Sequence, residues 1–194
     1  MSQSSLSTDG RPEIKPAAFP LSQAGGHSPR PGYADPVPTP DFILDLRAKV
    51  GHQQLWLSGA TAVVTRERGG VLEVLLVRRS DTGEWTPVSG IVDPGEHPAA
   101  TAVREVAEEA GVEAEVDYLA WLTVTGVVTH ANGDRTQYID HVFRCSWRSG
   151  EPHPVDGEAT EAAFFTLDAL PPMRPDQAER VRIGLTGDRV TRLH

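Results

Sequence analysis

Cysteine is almost missing from the chain: Cys145 is the only one in 194 residues. A lone thiol excludes an intramolecular disulfide and any zinc site built on several cysteines. Long apolar runs are missing too, and none approaches the roughly 18 residues that mark a helix crossing a bilayer. Positive charge is scarce, with 18 Lys and Arg against 27 Asp and Glu, for a formal net charge of −9. That balance argues against a broad electrostatic footprint for nucleic acid, which depends on clustered Lys and Arg. An acidic chain that handles phosphates needs a metal cation or a local basic patch. The N-terminus also lacks a basic-then-apolar leader, and together with the single thiol this gives a cytoplasmic location as the expectation.

What is present suits one globular domain with some extra length, at 39% hydrophobic and 23% charged residues. Residues 1–40 hold eight of the 16 prolines, six serines and almost no periodic apolar pattern. Such a segment cannot bury enough surface to offset its ordering entropy, so it reads as a disordered arm ahead of a domain over 41–194. The stripe Phe42, Leu44, Leu46 and Val50 predicts a helix capped by Thr39 or Asp41 and stopped at Gly51. Strands are predicted over 60–66 and 71–79, joined by a turn at 67–70. One long or two short strands follow over 112–129, with a turn at 131–134. Residues 137–147 alternate with Ile139, His141, Phe143, Cys145 and Trp147 on one side, the pattern of a half-buried strand. A last strand over 162–167 and a helix over 175–185 close the chain.

The chemistry concentrates in GIVDPGEHPAATAVREVAEEAGV, residues 90–112. Pro98 suits a first helical turn and Gly111 a left-handed stop, and the interior between them is rich in Ala and Glu. On a helix, Ala99, Ala102, Val103, Val106 and Ala110 form a packing stripe, while Glu105, Glu108 and Glu109 gather on another face. Like charges three and four apart destabilise a helix by roughly 0.2 to 0.5 kcal/mol per pair, and Arg104 cannot neutralise three acids. A hard divalent cation can, since Mg²⁺ takes a few carboxylate oxygens and completes its shell with water and substrate phosphate. The preceding loop, with Gly90, Pro94, Gly95 and Glu96, leads to a helix N-terminus that favours anions such as phosphate. Together these features predict a pyrophosphate site. An ordinary solvated acidic helix is the competing explanation, and the spacing weighs against it. Gly90, Glu96, Arg104-Glu105, Glu108-Glu109 and Gly111 stand at fixed intervals whose chance occurrence is on the order of one in a million.

That pattern is the Nudix box, and the chain resembles a Nudix hydrolase. The resemblance covers the whole motif and, more loosely, the strand order from about residue 40 to 185. It implies an α/β fold, an α/β/α sandwich with a mixed β-sheet, in which the box forms a loop, helix and loop. It implies Mg²⁺ or Mn²⁺ bound by Glu108, Glu109 and Glu105, with Glu105 also able to deprotonate water and Glu109 essential to catalysis. Arg104 matches the residue that orients a catalytic glutamate, and Gly90 and Glu96 match the structural start of the motif beside the substrate. The implied reaction is attack by water on a phosphorus of a nucleoside diphosphate linked to another group, X. Nucleotide sugars such as ADP-ribose and nucleoside triphosphates are the implied substrates, and a homodimer is implied by analogy only. The alternative is a ligand-sensing module without catalysis. A prenyl diphosphate isomerase would need a cysteine upstream of the box, where the chain has none.

Outside the box, the family draws a base or further ligand from a downstream glutamate, for which Glu158 and Glu161 are the candidates. Arg79, with Arg78 beside it, is the candidate phosphate contact. Trp85, Phe164, Phe165, Cys145 and His141 read as packing residues, although the strand carrying His141 can line a cleft. The turn HANGDRTQ and the stretch DLRAKVGHQQLWLSGA resemble members labelled ADP-ribose pyrophosphatase-like. Pro87-Val88-Ser89-Gly90 stands where many members have Pro-Gly-Gly, so a bulkier loop is expected to restrict the pocket or alter its backbone contacts.

Overall fold

The stretch Gly59 to Thr65 is buried without interruption, which only a strand covered on both faces permits. In the computed structural model, which describes residues 39–130 and 132–194, it lies in the central strand β1 (Leu55–Arg68). Most of the arm expected at the N-terminus, up to residue 38, falls outside the described residues. β1 runs antiparallel to β2 (Val71–Arg79) and parallel to β7 (Arg135–Ser149), from Leu55 beside Thr136 to Thr65 beside Ser146. β3 (Trp85–Thr86) flanks β2 at one end of the main path and β5 (Glu113–Val124) flanks β7 at the other. Short strands complete the eight: β4 (Val88–Ile91) on β1, β6 (Val128–Thr129) on β7 and β8 (Ala159–Thr166) on β2.

Alternation along β1 sends its side chains to two cores. Ala60, Ala62 and Val64 pack with Leu75, Val77 and Ala102, Val106 and Ala110 of helix α2 (Pro98–Ala110). Val63 packs with Val74, Leu76, Val142 and Val181 of helix α3 (Pro175–Gly184). Helices therefore cover both faces of a mixed sheet, the expected α/β/α sandwich. Helix α1 (Asp41–Val50) contributes Ile43 to a third cluster with Leu55 and Leu57. Among the described residues no helix is long and apolar enough to cross a membrane.

Several expectations change. Neither Thr39 nor Asp41 caps α1; Pro40 holds the cap position without a side-chain bond. β7 is not half-buried on a single apolar face, because Asp140 and Val142 on its other face are also buried, at 4% and 0% exposure. The reason is position: β7 lies between β1 and β5, and α3 covers that second face. β1 begins five residues before its predicted start, with Leu57 buried and Trp56 exposed ahead of Ser58 and Gly59. Within the bulkier loop, Val88 pairs with Ala62 and packs into the core below α2, while Ser89 and Gly90 are the members that line the cleft.

Candidate active site

α2 starts from the turn after β4, where the Glu96 amide donates to Asp93 O at 2.9 Å. Pro98 stands in its first turn, and Gly111 ends it in the left-handed region at φ 62°, which costs glycine no Cβ clash. Thr101 is buried on the packing side together with Ala102, Val106 and Ala110, and Val103 only half so. The contact that fixes the site is between β4 and α2. A Cβ built on Gly90 would lie 2.0 Å from Glu105 Oε1, so the carboxylate rests directly on the bare glycine backbone.

Arg104 organises the acids. Its Nε and Nη2 donate to the two oxygens of Glu96 at 3.0 Å each, a bidentate fork. Its Nη1 donates to Glu105 at 2.9 Å and to Glu108 at 2.8 Å. Thr101 Oγ1 adds a hydrogen bond to Glu96 at 2.7 Å. Burial works against the charge on Glu96, but the hydrogen bonds from Arg104 and Thr101 outweigh it and hold the carboxyl below its usual range. The guanidinium is pushed well above its ordinary value, chiefly by the Glu96 bonds.

Glu109 lies apart from this network. It is 2% exposed, and its Oε1 is buried with no hydrogen-bond partner among the described residues. Burial pushes its carboxyl up to about 9, with the charges of Glu158 and Glu105 adding to the effect and Arg79 opposing it. Burial likewise lifts Glu105 to about 7 despite Arg104 beside it. Glu158 is raised too, by burial and by Asp156. These carboxyls are crowded into a dry place with too little positive charge.

Glu105 and Glu158 border a cleft of about 890 Å³, whereas Glu109, expected at the metal, is buried and is not among the residues of its wall. Gly90, Arg104, Glu105 and Glu108 line it, as do Arg79 and Glu158. Arg79 is held by a fork to Asp81, at 2.8 and 2.9 Å. Glu161, expected at the substrate, is not on the cleft wall; it is exposed and paired with Arg78 at 2.8 Å. Glu96 is not on the wall either, and the first turn of α2 contributes nothing to it. The helix terminus expected to favour an anion is therefore off the cleft wall, and its Ala100 and Thr101 amides donate to His97 O at 2.8 and 3.1 Å. Trp85 packs edge-on against Phe165, with centroids 4.9 Å apart, and Phe164 belongs to the other core. His141 is satisfied by Gly59 O at 3.0 Å.

A model of the NUDIX domain matches residues 56–182. The chain belongs to the Nudix family. It is 37% identical to a MutT-like protein of Streptomyces ambofaciens over 108 residues, 56% of this chain and 62% of that one. It is 32% identical to a putative ADP-ribose pyrophosphatase of Bacillus subtilis over 112 residues, covering 56% of this chain and 52% of the relative. The chain thus matches only part of the length of these relatives. The structure of an ADP-ribose pyrophosphatase from Streptococcus suis superposes with a TM-score of 0.52 at 25% identity, over 71% of this chain and 98% of that one.

Nudix hydrolases generally use divalent metals, and the box residues fit one in a particular way. No three His, Cys, Asp or Glu side chains among the described residues converge as a ready cage. Glu105 and Glu108 turn their oxygens to Arg104 instead. A cage is not required, because Mg²⁺ settles for one or two carboxylates with water and phosphate. The buried, unpartnered Oε1 of Glu109 and the excess of carboxylate at the cleft are what such a cation would satisfy.

The structure also places a group here that the sequence reading passed over. Asp140 on β7, Arg180 on α3 and Thr61 on β1 are all buried and all line the same cleft. Arg180 Nε donates to Asp140 at 2.7 Å and Thr61 Oγ1 donates to Asp140 at 2.9 Å. Forty positions separate Asp140 from Arg180. Asp140 stood on the polar side of an alternating strand, the only signal that could have marked it.

Proposed function

We propose that this Nudix domain hydrolyses a pyrophosphate bond in a nucleoside diphosphate linked to a second group, X, with Mg²⁺ or Mn²⁺. A nucleotide sugar such as ADP-ribose, or a nucleoside triphosphate, is the substrate class. The observation that carries the reading is the buried, unpartnered carboxylate of Glu109, which feels the charges of Glu105 and Glu158 on the cleft wall. The named relatives support ADP-ribose as the first compound to try.

Glu109, Glu108 and Glu105 would hold the cation, which when bound neutralises phosphate oxygens and makes water a better nucleophile. Water attacks phosphorus, the bridging P–O bond breaks, and two phosphorylated products leave. Glu105 accepts the proton of the attacking water, and a carboxyl lifted to about 7 is suited to that at neutral pH. Arg104, locked by Glu96, holds Glu105 and Glu108 in place. Arg79 faces the phosphates as a fixed donor, and Glu158 is the carboxylate outside the box placed to act with them. Gly90 and Glu96 act by shaping the loop, and Glu161 has no part in the reaction.

The test is a substrate panel with Mg²⁺ or Mn²⁺, containing ADP-ribose, other sugar nucleotides, nucleoside triphosphates and dinucleoside polyphosphates. Turnover in ¹⁸O-water identifies the phosphorus attacked. Binding without turnover of any member would instead make the domain a ligand sensor.

A further inference from the structure

We infer that Arg180, Asp140 and Thr61 form a subsite that reads the hydrogen-bonding edge of the substrate's nucleobase. The inference rests on the pyrophosphatase reading and adds to it the part of the substrate that sets specificity.

Burying an ion pair seldom repays its desolvation, so a pair at 8% and 4% exposure on a cleft floor calls for an explanation other than stability. A clamp between β7 and α3 would use up the guanidinium. Here Nε goes to Asp140 and Nη1 to Asp176, at 3.1 Å to its carbonyl and 3.2 Å to its carboxylate. Nη2 has no partner among the described residues, and Arg180 lines the cleft. Asp140 retains capacity as well. A carboxylate offers about four lone-pair positions, and among the described residues its oxygens take bonds from Arg180 and Thr61 only. The cleft floor therefore presents two planar groups side by side, one with spare N–H donors and the other with spare acceptors.

Charge decides which part of the substrate belongs there. Asp140 and Asp176 are balanced by Arg180 and by Arg174, whose Nε and Nη2 donate to Asp176 at 3.0 and 2.8 Å, so the group has no net positive charge to draw a phosphate. A neutral ligand with adjacent donor and acceptor fits, and a base edge is planar in the same way as the guanidinium and carboxylate. Ile91, Val127, Val128 and Tyr138 line the same cleft and offer apolar surface for the faces of a ring. The group and the box residues Glu105 and Glu108 line one cleft. Thr61 pairs with Ser89, one residue from Gly90, so the subsite is close to the acids that would act on the pyrophosphate.

The test measures equilibrium binding of AMP, GMP, CMP and UMP to the full chain in EDTA, with the 2′-deoxy compounds as a parallel set. Selection among bases of at least about tenfold is expected, the lower range for a bidentate contact to a base edge. Arg180→Lys and Thr61→Val should reduce that selection to about threefold or less. Thr61→Val leaves the ion pair in place and covers the case in which the arginine variant fails to fold. Equal or absent binding of the four bases, selection that follows only the sugar, or unchanged selection in a folded variant would overturn the inference. The two readings fail separately: hydrolysis without base selection removes only the subsite, and base selection without hydrolysis removes only the enzyme.

Discussion

Glu105 occupies the space that any side chain on Gly90 would need, with its Oε1 2.0 Å and its Cγ 2.5 Å from a Cβ built there. Gly90→Ala must therefore displace the carboxylate or the strand. A displacement near 1 Å in a catalytic group costs on the order of 100-fold in rate. We expect kcat to fall by at least that factor while nucleotide binding in EDTA changes little. Steady-state kinetics beside a binding isotherm checks it, and near-normal kcat would mean that Glu105 does not act from this position.

Arg104 reaches Glu96, Glu105 and Glu108 at once because its guanidinium is a planar fork, which lysine cannot reproduce. Arg104→Lys is expected to lower kcat by about 10- to 100-fold with little change in KM. Glu96→Gln, which weakens the fork without touching the cleft, should produce a smaller loss of the same kind. A change confined to KM in both variants would place Arg104 on the substrate and not on the carboxylates.

Glu158 and Glu161 are three residues apart but differ in surroundings. Glu158 lines the cleft and senses Arg79, whereas Glu161 is exposed and paired with Arg78. Glu158→Gln should cost at least about tenfold in kcat/KM. Glu161→Gln should stay within about twofold, because an exposed ion pair contributes little. Parallel assays of the two variants decide the matter, and the reverse order would restore Glu161 to the site.

Glu109 and Glu105 make stability depend on pH. Each binds its proton more tightly folded than unfolded, with carboxyls lifted from 4.5 to about 9 and about 7. Their contribution is complete below pH 4.5 and is lost as pH rises through 7 for Glu105 and 9 for Glu109. Without metal, the melting temperature should fall between pH 6 and 9, and Mg²⁺ should raise it more at pH 8 than at pH 6. Scanning calorimetry at fixed ionic strength tests this; a flat profile with no metal effect would show that the two carboxyls are not strained.

Much of this arrangement is legible in local sequence, for reasons of period and punctuation. Pro98 and Gly111 bound α2 as expected, and 71–79 is β2 to the residue, because each run carries its own stop signals. Ser58 and Gly59 interrupt the β-branched content of β1, so the sequence predicts a start at residue 60, and only pairing with β7 extends the strand back to Leu55. Burial of β7 on both faces depends on α3, which no period within the strand encodes. The box identified the acids but not their separation, which places Glu109 in the interior and turns Glu105 and Glu108 to Arg104. The Asp140–Arg180 pair could not be read at all, since it is made by packing between elements 40 residues apart.

On the proposed reading, the buried carboxylate of Glu109 holds a divalent cation. Turnover by Glu109→Gln in saturating Mg²⁺, measured on the best substrate of the panel, tests it most directly. The variant removes the charge but keeps the shape. We predict that it folds, melts at or above the wild-type temperature without metal at pH 8, and loses activity by about 1,000-fold or more. Wild-type turnover in the folded variant would mean that Glu109 holds no cation the reaction needs.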